Sequence, residues 1–262
     1  MERIAPGEFC WVELATPDRA ASLAFYSGLF GWSAVDQEMA LSGRAFTYSI
    51  VRLGERYVGS VYELLAEQRE RGVAPHWLPY LAVASVDRAV RRAEDLGAAC
   101  LVDPVEILQA GRTSVLEDPT GASFAFWEAR NLLGFQVRDE PGSPCWFELV
   151  TADGKAAAEF YGALFGWTSR LPANGAPEAG LLLRGDQPVA GVTMLPAGRD
   201  QAPRWTTHFG VADRGASCRT IEKAGGTVGS AAALIPGLRP STAVTDPHGA
   251  PFSIVEPTLA PR

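Results

Sequence analysis

The chain has 262 residues, 47% hydrophobic and 20% charged, with a formal net charge of -7. That suits one large domain or two of about 130 residues, and it excludes a broadly basic nucleic-acid surface. Cys10, Cys100, Cys145 and Cys218 form no C-x-x-C pair and no cysteine–histidine cluster of zinc-site spacing.

In chain order, Phe9 to Ala15 reads as a short strand with Glu13 inside it. Thr16 suits an N-cap, Pro17 the first helical position and Asp18 the first turn. The spacing of Ala21, Phe25 and Leu29 then predicts a helix to about Phe30, stopped by Gly31. Three strands follow: Ser33 to Glu38, Ala45 to Leu53 and Tyr57 to Leu64. A second β-α-β-β-β unit comprises Leu78 to Ala84, a helix from Val86 to Leu96, and strands at Cys100 to Val105, Thr113 to Leu116 and Ser123 to Trp127. Asp118-Pro119-Thr120-Gly121 reads as a turn.

The same text is then written again. CWVELATPDRAASLAFYSGLFGW, from Cys10 to Trp32, returns as CWFELVTADGKAAAEFYGALFGW, from Cys145 to Trp167. EDPTGASFAFWE, from Glu117, returns as TDPHGAPFSIVE, from Thr245. The halves span residues 5–129 and 143–257, with residues 130–142 as linker. Four β-α-β-β-β units make an α+β protein, and two facing four-stranded sheets per half would leave a partly open cup. Nucleotide-binding and nucleophile-elbow glycine motifs are missing.

A strand followed by D-x-x-x-x-x-x-F-Y-x-x-L-F-G-W, seen twice, and D-P-x-G before each last strand resemble the vicinal oxygen chelate superfamily. It includes glyoxalase I, bleomycin-resistance proteins and extradiol dioxygenases. The resemblance covers nearly the whole chain and is strongest to two-domain actinobacterial proteins of glyoxalase-like or hydroxylase-like designation. It implies tandem glyoxalase-like domains whose mixed sheets curl into two cups. In metal-using members each cup holds one divalent ion on four strand positions. Those positions fall on Trp11, near Ser60, on Tyr80 and on Ala125 in the first half, and on Trp146, about Gly191, His208 and Ser253 in the second. One histidine among eight is not a ligand set, so neither a metal nor another cofactor is expected.

The candidate residues follow from those positions. Trp11 and Trp146 occupy the cup floor, Trp77 and Trp205 pair across the repeat, and Tyr48, Tyr62 and Tyr80 add aromatic surface in the first half. Trp11, Tyr48, Trp77, Tyr80, Trp146, Trp205 and His208 are the ligand-wall candidates, against the alternative that the tryptophans are core. Glu13 and Glu148 lie two residues beyond a tryptophan and share its face. They, Tyr80 and His208 are the candidate proton-transfer groups, against a structural role for the carboxylates.

Three functions fit: metal-independent binding of an apolar, planar aromatic molecule, as in drug-binding resistance proteins; a metal-free hydroxylase-like, isomerase or cyclase enzyme of secondary metabolism; and an interaction module with vestigial cups. The first cup, richer in tyrosine, is the expected principal site. A cytoplasmic monomer or weak homodimer is expected, without nucleic-acid or membrane partners; MERIAPGEFC lacks a signal-peptide apolar core.

Overall fold

A computed structural model describes residues 3–41, 44–172, 179–195, 201–231 and 240–257. The first half contains β1 (Phe9–Thr16), α1 (Arg19–Phe30), β2 (Ser33–Leu41), β3 (Arg44–Leu53), β4 (Arg56–Glu63) and the short α2 (Ala66–Glu70). It continues with β5 (His76–Ala82), α3 (Val86–Asp95), β6 (Ala99–Ile107), β7 (Gly111–Glu117) and β8 (Ser123–Ala129). The second half contains β9 (Pro144–Thr151), α4 (Gly154–Phe165), β10 (Thr168–Arg170), β11 (Gly180–Arg184) and β12 (Gln187–Met194). It ends with β13 (Arg204–Gly210), α5 (Arg214–Lys223), β14 (Thr227–Ala231), β15 (Ser241–Thr245) and β16 (Pro251–Val255).

The fold is α+β, with two tandem domains of glyoxalase-like topology. The two sheets expected in each half are one. The first domain's eight strands run β2-β3-β4-β1-β5-β8-β7-β6, and the second repeats that order. β1 pairs parallel with β4 and antiparallel with β5, which fuses the two four-stranded units along their first strands. Twist then curls the sheet into a half-barrel.

Local chemistry explains most element ends. Asp18, rather than Thr16, caps α1: its carboxylate accepts from the Ala21 amide at 2.9 Å. Thr16 is still strand, paired with Glu63, and its hydroxyl bonds that of Ser22 at 2.7 Å. Gly31 and Gly166 close α1 and α4 at φ 72°, where a side chain is disfavoured. Glu128 and Glu256, at the ends of the last strands, accept from the amides of Val86 and Arg214, the first residues of α3 and α5.

The halves lock together through the two repeated motifs. The Tyr26 hydroxyl donates to Asp246 Oδ2 at 3.1 Å, and Tyr161 donates to Asp118 Oδ2 at 2.9 Å. Each hydroxyl also accepts from a tryptophan of its own half, Trp77 at 3.0 Å or Trp205 at 2.9 Å. Around these bonds lies shared aromatic core, with Phe9 stacked on Phe147 at 3.9 Å and Trp77 against Phe209 at 5.0 Å.

Replacing Tyr26 by Phe leaves Asp246 Oδ2 and Trp77 Nε1 buried without that partner. The expected loss is about 2–4 kcal/mol in urea denaturation. A loss under about 0.5 kcal/mol, the range of ordinary surface changes, would show that the crossing bond is not a structural tie.

Candidate functional site

Strand parity decides which candidates meet. Trp11 faces Tyr80 across β1–β5, and Glu13 sits opposite Ser60 across β1–β4, so these residues share the concave face. Tyr48 opposes Tyr62 on β3–β4 and joins them. Trp77 is paired with Leu14 and Trp205 with Leu149, on the other face. There they bond the helix tyrosines, so neither lines a cup; the expectation for both is corrected. An odd separation along one strand places Trp77 opposite in face to Tyr80, and Trp205 opposite to His208.

The candidate residues of the first cup bond one another. Trp11 is 3% exposed; its Nε1 donates to Ser60 Oγ at 2.9 Å and its ring stacks on Phe135 of the connector at 6.2 Å. The connector is held across this end of the sheet by Phe135 N to Cys10 O and Gln136 N to Tyr57 O. Glu13 accepts from the Tyr80 hydroxyl at 2.9 Å and the Ser60 hydroxyl at 3.1 Å. Burial raises the Glu13 carboxyl above its ordinary value, and the hydroxyls of Tyr80, Ser60 and Tyr48 offset this only in part. Burial, with the Glu13 charge beside them, likewise pushes Tyr48 and Tyr80 upward. The structure thus unites Trp11, Glu13, Tyr48 and Tyr80, but as a mutually satisfied cluster rather than an open wall. Cys10 and Cys145 sit at β-bulges beside this floor and its copy. Burial pushes the Cys145 thiol up to about 12.

The second cup is built differently on the same backbone. A cavity of about 390 Å³ opens beside Glu148, Arg204, Thr206, Thr193 and Ser253, with Val150, Met194, Leu195 and Pro251 supplying apolar wall. A cavity thus opens in the second cup, and another of about 290 Å³ lies at the edge of the first half beside Phe46, Thr47 and Glu63. Glu148 is 4% exposed; its Oε2 contacts His208 Nε2 at 2.9 Å, and its Oε1 accepts from the Thr193 hydroxyl. Burial pushes the Glu148 carboxyl up. His208, through hydrogen bond and charge, outweighs that together with Thr193 and Arg204, leaving it below its ordinary value. Trp146 shares the face of Glu148 but is only half-buried, packed against Ala179, Leu181 and Leu183. Sequence reasoning overlooked Arg204, Thr193 and Thr206. Arg204 aligns with His76 and Thr206 with Leu78, polar gains that the repeat itself displays.

The metal positions do not fit a metal. The first set is Trp11, Ser60, Tyr80 and Ala125, and the second is Trp146, Gly191, His208 and Ser253, aligned by Tyr80 with Ala125 and His208 with Ser253. One imidazole and one carboxylate, bonded to each other among hydroxyl and apolar neighbours, are not the several-fold nitrogen, sulfur or carboxylate set a divalent ion requires. Among the described residues no three His, Cys, Asp or Glu side chains converge. Nor is any described helix long and apolar enough to cross a membrane.

Fold and cups together define a tandem protein of the glyoxalase type. Residues 9–126 match the model for the Glyoxalase/Bleomycin resistance protein/Dioxygenase superfamily, and residues 146–255 match that for a Glyoxalase-like domain. The chain is 34% identical to the Anthracycline biosynthesis protein DnrV of Streptomyces peucetius, over 98% of this chain and 95% of that one. It is 33% identical, with the same coverage, to the Anthracycline biosynthesis protein DauV of Streptomyces sp. (strain C5). Among solved structures, the Mn(II)-bound glyoxalase from Novosphingobium aromaticivorans superposes with a TM-score of 0.63 at 15% identity, over 98% of this chain and 83% of that one. The chain therefore belongs to the glyoxalase/bleomycin-resistance/dioxygenase superfamily.

The two carboxylates should respond oppositely to pH. An unfolded glutamate titrates near about 4.3. Glu148, held lower when folded, contributes stability that is full above that value and lost as pH falls through its folded value. Glu13, held higher, contributes stability that is full below it and lost as pH rises through its folded value. The Glu148→Gln variant should be the less stable protein at neutral pH, with the gap closing in acid. Glu13→Gln should gain on the parent as pH rises. Denaturation of both variants between about pH 3 and 7 checks the signs.

Proposed function

We propose that the chain binds an apolar, planar aromatic small molecule in its second cup without a metal ion. The observation that carries this reading is the cavity of about 390 Å³ bordered by a few convergent polar groups and an apolar wall. Small-molecule sites run from roughly 300 to 1,000 Å³ and combine those two features. The similarity to proteins named for anthracycline biosynthesis supports a fused-ring ligand, since anthracyclines as a chemical class are planar polycycles. On this reading the chain works as a monomer or weak homodimer, and neither nucleic acid nor membrane is a partner.

Ala243 is exposed and lines the cavity. Ala243→Trp should fill the cup and weaken a hydroxyanthraquinone probe by about tenfold or more, about 1.4 kcal/mol, in titrations followed by tryptophan fluorescence. Tyr62→Phe, in the first cup, should leave affinity within about twofold. Unchanged binding to the Ala243→Trp variant would place the ligand elsewhere.

A second reading, a metal-free enzyme, is favoured by the buried Glu148–His208 pair at the cavity edge. Such a pair moves protons, as an isomerase or cyclase step requires. His208→Gln should then abolish product formation, followed by mass spectrometry, while binding persists. Product formed equally well by His208→Gln would sink the proton-transfer role.

A further inference from the structure

The second cup holds hydrogen-bonding atoms that the fold itself leaves unused. Among the described residues, Trp146 Nε1, Arg204 Nε, Thr206 Oγ1 and His208 Nδ1 are buried without a partner. Thr206 is 6% exposed and His208 fully buried. Thr206 opposes Glu148 and His208 opposes Trp146 across β9–β13, so their side chains share the concave face. Arg204, two residues before Thr206, belongs to the same row, and both border the cavity.

The first cup shows what self-sufficiency looks like at the same positions. There the tryptophan donates to Ser60 and the β5 residue Tyr80 donates to Glu13. In the second cup the position opposite the carboxylate is Gly191, which has no hydroxyl to receive Trp146. Leu78 has become Thr206 and His76 has become Arg204. Glu148 takes up Thr193 and His208 Nε2, and none of the four unpaired atoms reaches it. The cup therefore has unpaired donors in Trp146 Nε1, Arg204 Nε and the Thr206 hydroxyl, and a cation at its border. Each buried polar atom left unpaired costs about 1–3 kcal/mol, which an arriving acceptor recovers. Acceptors that carry charge recover most, and a guanidinium holds them in the strongest geometry.

We infer that the molecule held in the second cup carries an ionised acidic oxygen group, received by Arg204 with the Thr206 hydroxyl beside it. The inference rests on the ligand reading above and adds to it the class of molecule: a planar aromatic acid rather than a neutral polycycle.

Two probes of one shape separate the claims: an anthraquinone carboxylic acid and its primary carboxamide, titrated into the intact chain by calorimetry. The acid should bind about tenfold more tightly than the amide, the ratio expected when one hydrogen bond becomes charge-assisted. Arg204→Gln should shrink that ratio to about twofold, and Arg204→Lys should keep most of it. Circular dichroism verifies folding, and Arg204→Met replaces Arg204→Gln if the latter does not fold. Equal binding of acid and amide by the parent overturns the acidic-group assignment while leaving the ligand reading intact. A ratio that survives Arg204→Gln and Arg204→Met overturns the role of Arg204. If neither probe binds the parent, the ligand reading fails and this inference falls with it.

Discussion

The architecture depends on one buried bond made twice, from a helix tyrosine of each half to a turn aspartate of the other. Tyr26 reaches Asp246 and Tyr161 reaches Asp118. Each aspartate uses its remaining oxygen at home. Asp118 Oδ1 accepts from the Thr120 and Ala122 amides, and Asp246 Oδ1 from those of His248 and Ala250. The turn before the last strand is thus fixed by the same side chain that ties down the partner half. Trp77 and Trp205 complete each hydroxyl as donors. A buried phenol satisfied on both sides holds a unique geometry, because slippage would leave three groups unpaired at once.

That arrangement accounts for the text that repeats most faithfully. The F-Y pair and the D-P-x-G turn look like site motifs, yet they sit on the helix side, away from the cups. Their chemistry is interface chemistry, and it frees the concave faces to diverge. Each cup keeps its tryptophan and its carboxylate, while the residues around them change from Ser60 to Gly191, Tyr80 to His208, Leu78 to Thr206 and His76 to Arg204. Every one of these changes lies on β4 or β5, or on the copies β12 and β13, which flank the carboxylate strand.

The fold was legible because its signals are local. Alternation marks the strands, glycine marks the helix ends, and the repeat checks each half against the other. The site was legible only where one strand sufficed. Glu13 shares a face with Trp11 by counting along β1, and that reading held. Trp77 was misplaced because its face follows from the pairing of β5 with β1, which a single strand does not encode. Its odd distance from Tyr80 was nevertheless available as a warning. The fusion of the two sheets along β1–β5 was hidden for the same reason: it is a register between distant strands, as in Trp11 with Tyr80, 69 residues apart. The placement of open volume in the second cup rests on side-chain satisfaction across three strands, which tyrosine count does not measure.

The contrast between Glu13 and Glu148 shows how little the backbone decides about chemistry. Both lie on a first strand, two residues past a tryptophan, and both are surrounded by protein. Around Glu13 the partners are neutral hydroxyls of Tyr80, Ser60 and Tyr48, so burial wins and the carboxyl is held above its ordinary value. Around Glu148 the partners include His208 and, farther off, Arg204, so attraction outweighs burial and the carboxyl is held below its ordinary value. Arg204 feels the reverse pull: burial lowers it and Glu148 supports it. Where metal-using cups gather ligands around an ion, these cups gather donors around a carboxylate. In the first the donors are consumed within the cluster. In the second, Trp146 Nε1, Arg204 Nε and the Thr206 hydroxyl stay unpaired beside a carboxylate that bonds Thr193 and His208.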